Sequence, residues 1–220
     1  FADVDSGDAM ASIDFTSLPA TGTLMYSGNA VVAGDDIAIA DLGGVTYVPV
    51  ANANGAVTFT FKVYDGEALS AVGTYTMTYS AVNDAPENTI TGATLSVNED
   101  TDLAITGNSI ADVDDTSMAS VAITASRGVF DLAQTTDLTF AANSGDGTDD
   151  TTMTFSGTVT KINLAIATLT WTSASDDDAD ATITIVPTDS SGASDTDSMS
   201  ITVGSVNDAP TTSGGSTSGI

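Results

Sequence analysis

Acidic residues recur in this chain at spacings of two and three, and the same arrangement comes round twice. Ala2-Asp3-Val4-Asp5, with Asp8, returns as Ala111-Asp112-Val113-Asp114, with Asp115. Val82-Asn83-Asp84-Ala85-Pro86 returns as Val206-Asn207-Asp208-Ala209-Pro210. Carboxylates two residues apart in a turn can converge on one cation, and Ca2+ takes roughly six to eight oxygens at about 2.3–2.6 Å. Without a cation such neighbours repel one another. A lone Asp-x-Asp is equally well read as a solvated turn, because Asp bonds readily to its own backbone. Repetition at one place in two modules is what points to calcium.

Further acids stand near the ends of expected strands. Asp65 in Val63-Tyr64-Asp65-Gly66 and Asp189 in Pro187-Thr188-Asp189-Ser190 each follow a long penultimate strand, as a ligand or as the first residue of a turn. Asn98-Glu99-Asp100 lies between two strand segments, a poor place for uncompensated charge. Asp176-Asp177-Asp178-Ala179-Asp180 precedes a strand, either as a solvated acidic loop or as a ligand cluster. Asp146, Asp149 and Asp150 read as plain loop.

The charge balance excludes several partners. Thirty acids face only Lys62, Arg127 and Lys161, a net charge of -27, and all the acids but Glu67, Glu87 and Glu99 are Asp. Nucleic acid and anionic membrane surfaces need Lys and Arg, and no apolar run reaches the roughly 18 residues of a spanning helix. With no Cys there are no disulfides, and in an extracellular protein metal ions can do that job. With no His, ordinary zinc sites and most acid–base catalysis near neutral pH are excluded. Paired carboxylates of the glycosidase kind are the one serious catalytic option. Acids repeated at module ends do not build one pocket, so a non-enzyme is expected.

The elements that must position these acids are short strands. Residues 12–16 alternate with period two, residues 22–26 lead into a hairpin turn at Ser27-Gly28-Asn29, and Asp35 or Asp36 is expected to cap one helical turn over residues 37–42. Strands follow over residues 45–48, 56–64 and 74–81. In the second module strands are expected over 94–97, 103–105, 120–124, 129–132, 138–140, 151–155, 181–186 and 198–203. A helical turn is expected over 162–169, with Trp171 in the core. Phe59, Phe61, Ile183 and Ile185 are expected core residues. Thr- and Val-rich strands broken by Gly and Asp turns predict an all-β chain of two tandem sandwiches. The modules are residues 1–86 and 87–210, with a Ser/Gly/Thr linker over 211–220 and a stiff connection at Pro86.

With these motifs the chain resembles the cadherin-like (Ig-like) tandem repeats of large bacterial calcium-binding surface adhesins. The resemblance implies Ca2+ ions shared at module junctions and assigns their ligands. Glu99 matches the first-strand Glu, with Asp100 beside it, and Asp176 and Asp178 lie in the acidic cluster. Asn83-Asp84 and Asn207-Asp208 match the linker. Asp3-Val4-Asp5 (with Asp8) and Asp112-Val113-Asp114 match the Asp-x-Asp loop, and Asp65 and Asp189 the Asp after the penultimate strand. The first module departs from this pattern: it has no partner for Glu99 and carries Asn52-Ala53-Asn54-Gly55 in place of the acidic cluster.

The resemblance implies structural extender modules of a secreted or cell-surface bacterial protein, whose partners are neighbouring repeat modules. The alternative is a subunit of an extracellular filament, in which copies of the chain complete one another by β-strand exchange. Alignment of the modules bears on this choice. Before Ala111 the second module has room for two strands, whereas before Ala2 the first has only Phe1. The first sandwich is therefore expected to lack its opening strand, leaving an open edge beside residues 12–16 or 74–81.

Overall fold

The computed structural model describes residues 9–210. Backbone contacts divide the chain into two compact units, residues 1–82 and 83–220. The described residues are almost entirely β-structure, and no helix among them is long and apolar enough to cross a membrane.

The first unit has strands β1 (Ser12–Ser17), β2 (Thr23–Tyr26), β3 (Asn29–Ala30), β4 (Asp36–Ala38), β5 (Val45–Val48), β6 (Gly55–Tyr64) and β7 (Gly73–Tyr79). They form an antiparallel sheet in the order β4-β1-β6-β7 and a second sheet in the order β3-β2-β5. The predicted hairpin is present: Tyr26 faces Asn29 across Ser27 and Gly28, whose φ angles are 50° and 81°. Two successive positive φ values give the primed turn that matches strand twist, and Gly at the second place adopts one without strain. The expected capped helical turn is corrected. Asp36 begins β4, and a 3-10 helix follows at Ile39–Gly44 with no side-chain cap. Asp35 instead accepts the Val32 N–H at 2.8 Å, an alternative use of its short side chain.

Phe15, Leu24, Val31 and Ile37 are the buried centre of this unit, between the two sheets. Phe59 and Phe61, expected in the core, are only half-buried. Of the two strands expected to border an open edge, β1 is an inner strand, paired with β4 and β6, and among the described residues β4 and β7 stand at the two ends of the sheet.

The second unit has β8 (Glu87–Thr89), β9 (Thr94–Asn98), β10 (Leu103–Ala104), β11 (Ser109–Ala111), β12 (Ser117–Ala125), β13 (Val129–Leu132), β14 (Thr139–Phe140), β15 (Thr152–Thr158), helix α1 (Val159–Ile166), β16 (Leu169–Thr172), β17 (Ala181–Thr188) and β18 (Asp197–Gly204). One sheet runs β14-β15-β12-β17-β18-β9, with β9 parallel to β18. The other runs β10-β16-β13, and β8 pairs with β11 in a small ribbon. Neither β8 nor β11 was expected, since three residues are too few to show alternation. Pro86 is buried immediately before β8.

The core of this unit is larger. Trp171, Phe130, Ile123, Met153, Ile183 and Ile185 are fully buried, and the Trp171 indole N–H donates to the Arg127 carbonyl at 2.8 Å. A buried indole needs such a partner. The helix starts before the predicted turn because the Thr158 hydroxyl accepts the Lys161 N–H, capping it, while Ile162, Ala165 and Ile166 face the core.

Candidate metal centres at the two ends of the second unit

The first centre is built by three separated segments. Asp112 opens a tight turn after β11, and its Oδ1 accepts the N–H groups of Asp114 and Asp115, both at 2.8 Å. This closed turn brings residue i+3, not i+2, beside Asp112. Asp189 follows β17 and is only 1% exposed. One carboxylate oxygen from each of Asp112, Asp115 and Asp189 lies within 4.8 Å of the others. Asp115 stands in the expected loop but outside the expected ligand set; the Asx-turn geometry is the signal that finds it. Asp114 turns instead towards the linker and accepts the Asp84 N–H at 2.7 Å.

The linker joins this centre through Asn83. Its Nδ2 donates to Asp189 Oδ2 at 2.6 Å and to the Asp84 carbonyl at 3.0 Å. The Asn83 hydrogen bond is the largest influence on Asp189 and holds its carboxyl below the usual carboxylate range. Burial opposes it, and backbone N–H groups of Ala193, Ser191 and Gly192 assist. Asp189 therefore remains an anion inside the protein.

Among the described residues no ion pair joins a cation to these acids. Among the described residues Arg127 pairs with Asp177 at 3.1 Å and Lys161 with Asp137 at 2.7 Å. Asp112 Oδ2 supplies the test of fit: it is buried, has no hydrogen-bond partner, and belongs to a carboxylate in the three-acid group. An unpartnered buried carboxylate oxygen is costly in a protein interior. A hard divalent cation satisfies it and neutralises its neighbours. The residues fit Ca2+.

The second centre lies where β9 ends and the second linker begins. Carboxylate oxygens of Asp100, Asp176 and Asp208 lie within 4.8 Å of one another, all three residues being exposed. Asp100 and Asp176 have φ of 58° and 56°, a left-handed backbone that Asp tolerates better than most side chains. The charge of Asp176 is the main cause of a raised Asp208 pKa, followed by burial and the charge of Asp100. Glu99 is buried beside this group, and its Oε1 accepts the Val206 N–H at 2.7 Å, tying the linker backbone to the end of β9. Asn207 Nδ2 donates to the Asp208 carbonyl at 3.1 Å, repeating the Asn83–Asp84 arrangement.

The remaining expected ligands are not gathered. Asp178 is exposed and outside both groups. Asp65, in the first unit, accepts the N–H groups of Glu67 and Ala68, both at 2.8 Å, in its own turn. Asp3, Asp5 and Asp8 lie outside the described residues.

No protein-family model matches the chain, and no curated protein matches it. Solved structures are similar at low identity. The crystal structure of human mucin-like protocadherin EC1-2 is 14% identical over 93% of this chain and 87% of that one, with a TM-score of 0.43. The extracellular domain of protocadherin gamma B4 is 11% identical over 91% of this chain and 27% of that one, with a TM-score of 0.38. Fibronectin(III)-like modules of Clostridium thermocellum CbhA are 14% identical over 92% of this chain and 83% of that one, with a TM-score of 0.30. These likenesses carry no argument about function, which rests on the residues of this chain.

Proposed function

We propose that the chain is a pair of cadherin-like extender modules from a secreted or cell-surface bacterial adhesin, non-catalytic, in which Ca2+ held at module ends stiffens the array. The unpartnered, buried Asp112 Oδ2 beside Asp115 and the fully buried Asp189 carries this reading. Asp112, Asp115 and Asp189 would hold one ion. Asn83 would contribute its amide oxygen once the carboxamide turns over. Asp100, Asp176 and Asp208, with Glu99 adjacent, would hold another. When bound, the ion supplies positive charge and coordination that joins linker, turn and strand end.

The chain's own residues prepare each end. The Asp112 turn fixes one carboxylate oxygen on backbone N–H groups and leaves the other free. Asp84 and Val206 tether the two linkers through their backbone N–H groups, to Asp114 and Glu99. The test is unfolding of the second module, followed by Trp171 fluorescence, with Ca2+ and with chelator. A higher midpoint in Ca2+ supports the reading, and identical midpoints reject it.

A further inference from the structure

The outer face of the first unit's larger sheet gathers oxygens of its own, and it takes no part in the calcium reading. Antiparallel pairing puts Asp14 of β1 opposite Asp36 of β4 on one side and opposite Lys62 of β6 on the other. Ser12, two residues earlier on the same face, stands opposite Tyr64. Like charges directly opposite on neighbouring strands repel. Among the described residues Lys62 forms no ion pair that would relieve them, since the ion pairs there belong to Arg127 and Lys161.

Buried oxygens on this face lack partners. Ser12 is 7% exposed and its Oγ makes no hydrogen bond, and Asp14 Oδ1 is likewise buried and unpartnered. A cavity of about 320 Å³ opens here, lined by Asp14, Gly34, Asp36, Tyr64 and Leu69. The pleat sends Ser12, Asp14, Asp36 and Tyr64 to that one face. The Tyr64 hydroxyl donates to the Gly66 carbonyl at 2.6 Å, which holds the phenol in place as a wall.

What fits must bring donors and positive charge, because Asp14 and Asp36 only accept. Ca2+ takes about six to eight oxygens. Ser12, Asp14 and Asp36 supply too few, and the Leu69 side of the cavity supplies none. A primary ammonium carries its donors on a slim stem. Its methylenes pack on apolar surface, and an aromatic face attracts its charge. We propose that this face of the first module binds a primary ammonium on an aliphatic stem, such as a lysine side chain or a free alkylamine carries. The ammonium sits among Asp14, Asp36 and Ser12, and the stem lies against Tyr64 and Leu69.

The probe is n-butylammonium, titrated into the full 220-residue chain at physiological ionic strength and followed by amide proton and nitrogen shifts. Shifts in Ser12–Ser17, Asp36–Ala38 and Gly55–Tyr64 should saturate at millimolar amine. The same concentration of n-butanol, with the stem and no charge, should leave them in place. Asp14→Asn and Asp36→Asn should each weaken binding about tenfold or more, and Asp41→Asn, in the nearby 3-10 helix, should not. Nα-acetyl-lysine methylamide separates the sources. Saturation by it admits a lysine side chain, and saturation by butylammonium alone confines the site to free amines. Shifts that never saturate and spread over the acids of both units overturn the proposal. So does an unchanged response in Asp14→Asn and Asp36→Asn, or saturation of the same amides by Ca2+ at lower concentration than the amine.

Discussion

Asn83 Nδ2 donates to Asp189 Oδ2 at 2.6 Å, across 106 positions of sequence. This bond attaches the residue that begins the second unit to the loop after its penultimate strand, inside the same group of acids as Asp112. Linker and ligand loop are thereby joined without an ion, so the proposed Ca2+ would meet a largely formed site and lose less to ordering.

Calcium should raise the stability of the second module. Extracellular Ca2+ modules bind at roughly 10⁻⁴–10⁻³ M, and ion at about 100 times its dissociation constant adds about 2.7 kcal/mol per site absent from the unfolded chain. Magnesium should substitute poorly because it demands an octahedron and retains its waters. Denaturant midpoints in Ca2+, Mg2+ and chelator check both statements.

Asp112→Asn should separate a ligand from a structural acid. The change keeps an oxygen to accept the Asp114 and Asp115 N–H groups while removing charge from the crowded group. In chelator the variant should be at least as stable as the parent. In saturating Ca2+ it should lose the increment of one site, about 2.7 kcal/mol. Equal losses under both conditions would make Asp112 a turn residue and nothing more.

Without calcium, the pH profile should carry two opposite signatures. Asp208 is shifted up, so its ionisation opposes folding at neutral pH, and the penalty disappears as pH falls towards the ordinary carboxylate value of 3.8. Asp189 is shifted down, so its contribution is complete above 3.8 and is lost as pH falls through its lower folded value. Asp208→Asn should remove the gain on mild acidification, and Asp189→Asn should reduce the loss on further acidification. Urea midpoints across the pH range read both.

Trp171 is the only Trp and is fully buried in the second module, so its emission should report that module alone. Trp171→Ala should cost about 3–5 kcal/mol through the cavity it leaves. Circular dichroism should still detect the first module's separate unfolding transition in this variant.

Stiffening should be measurable apart from stability. Asp112→Asn combined with Asp114→Asn should broaden the distribution of inter-module distances, measured in Ca2+ between labels placed on each module, towards that of the parent in chelator. Unchanged distributions in all three samples would reject a role for the ion in rigidity.

The sequence by itself determined the repetition, the β-class and the kinds of residue that gather. Alternation over residues 56–64 and 181–186 marks strands with one apolar face, because side-chain direction in a strand has period two whatever lies nearby. The Val-Asn-Asp-Ala-Pro motif marks two corresponding places in the repeat, and short carboxylates far outnumber the cations that could pair with them. Tertiary structure decided which acids meet. Asp115 replaces Asp114 beside Asp112 because the backbone closes an Asx turn, and Asp176, on a left-handed backbone, joins Asp100 and Asp208 while Asp178 stays outside the group. It also decided that Phe59 and Phe61 are only half-buried. Their alternation is that of core residues, but burial depends on a covering strand, and alternation within one strand carries no information about whether its neighbour is present.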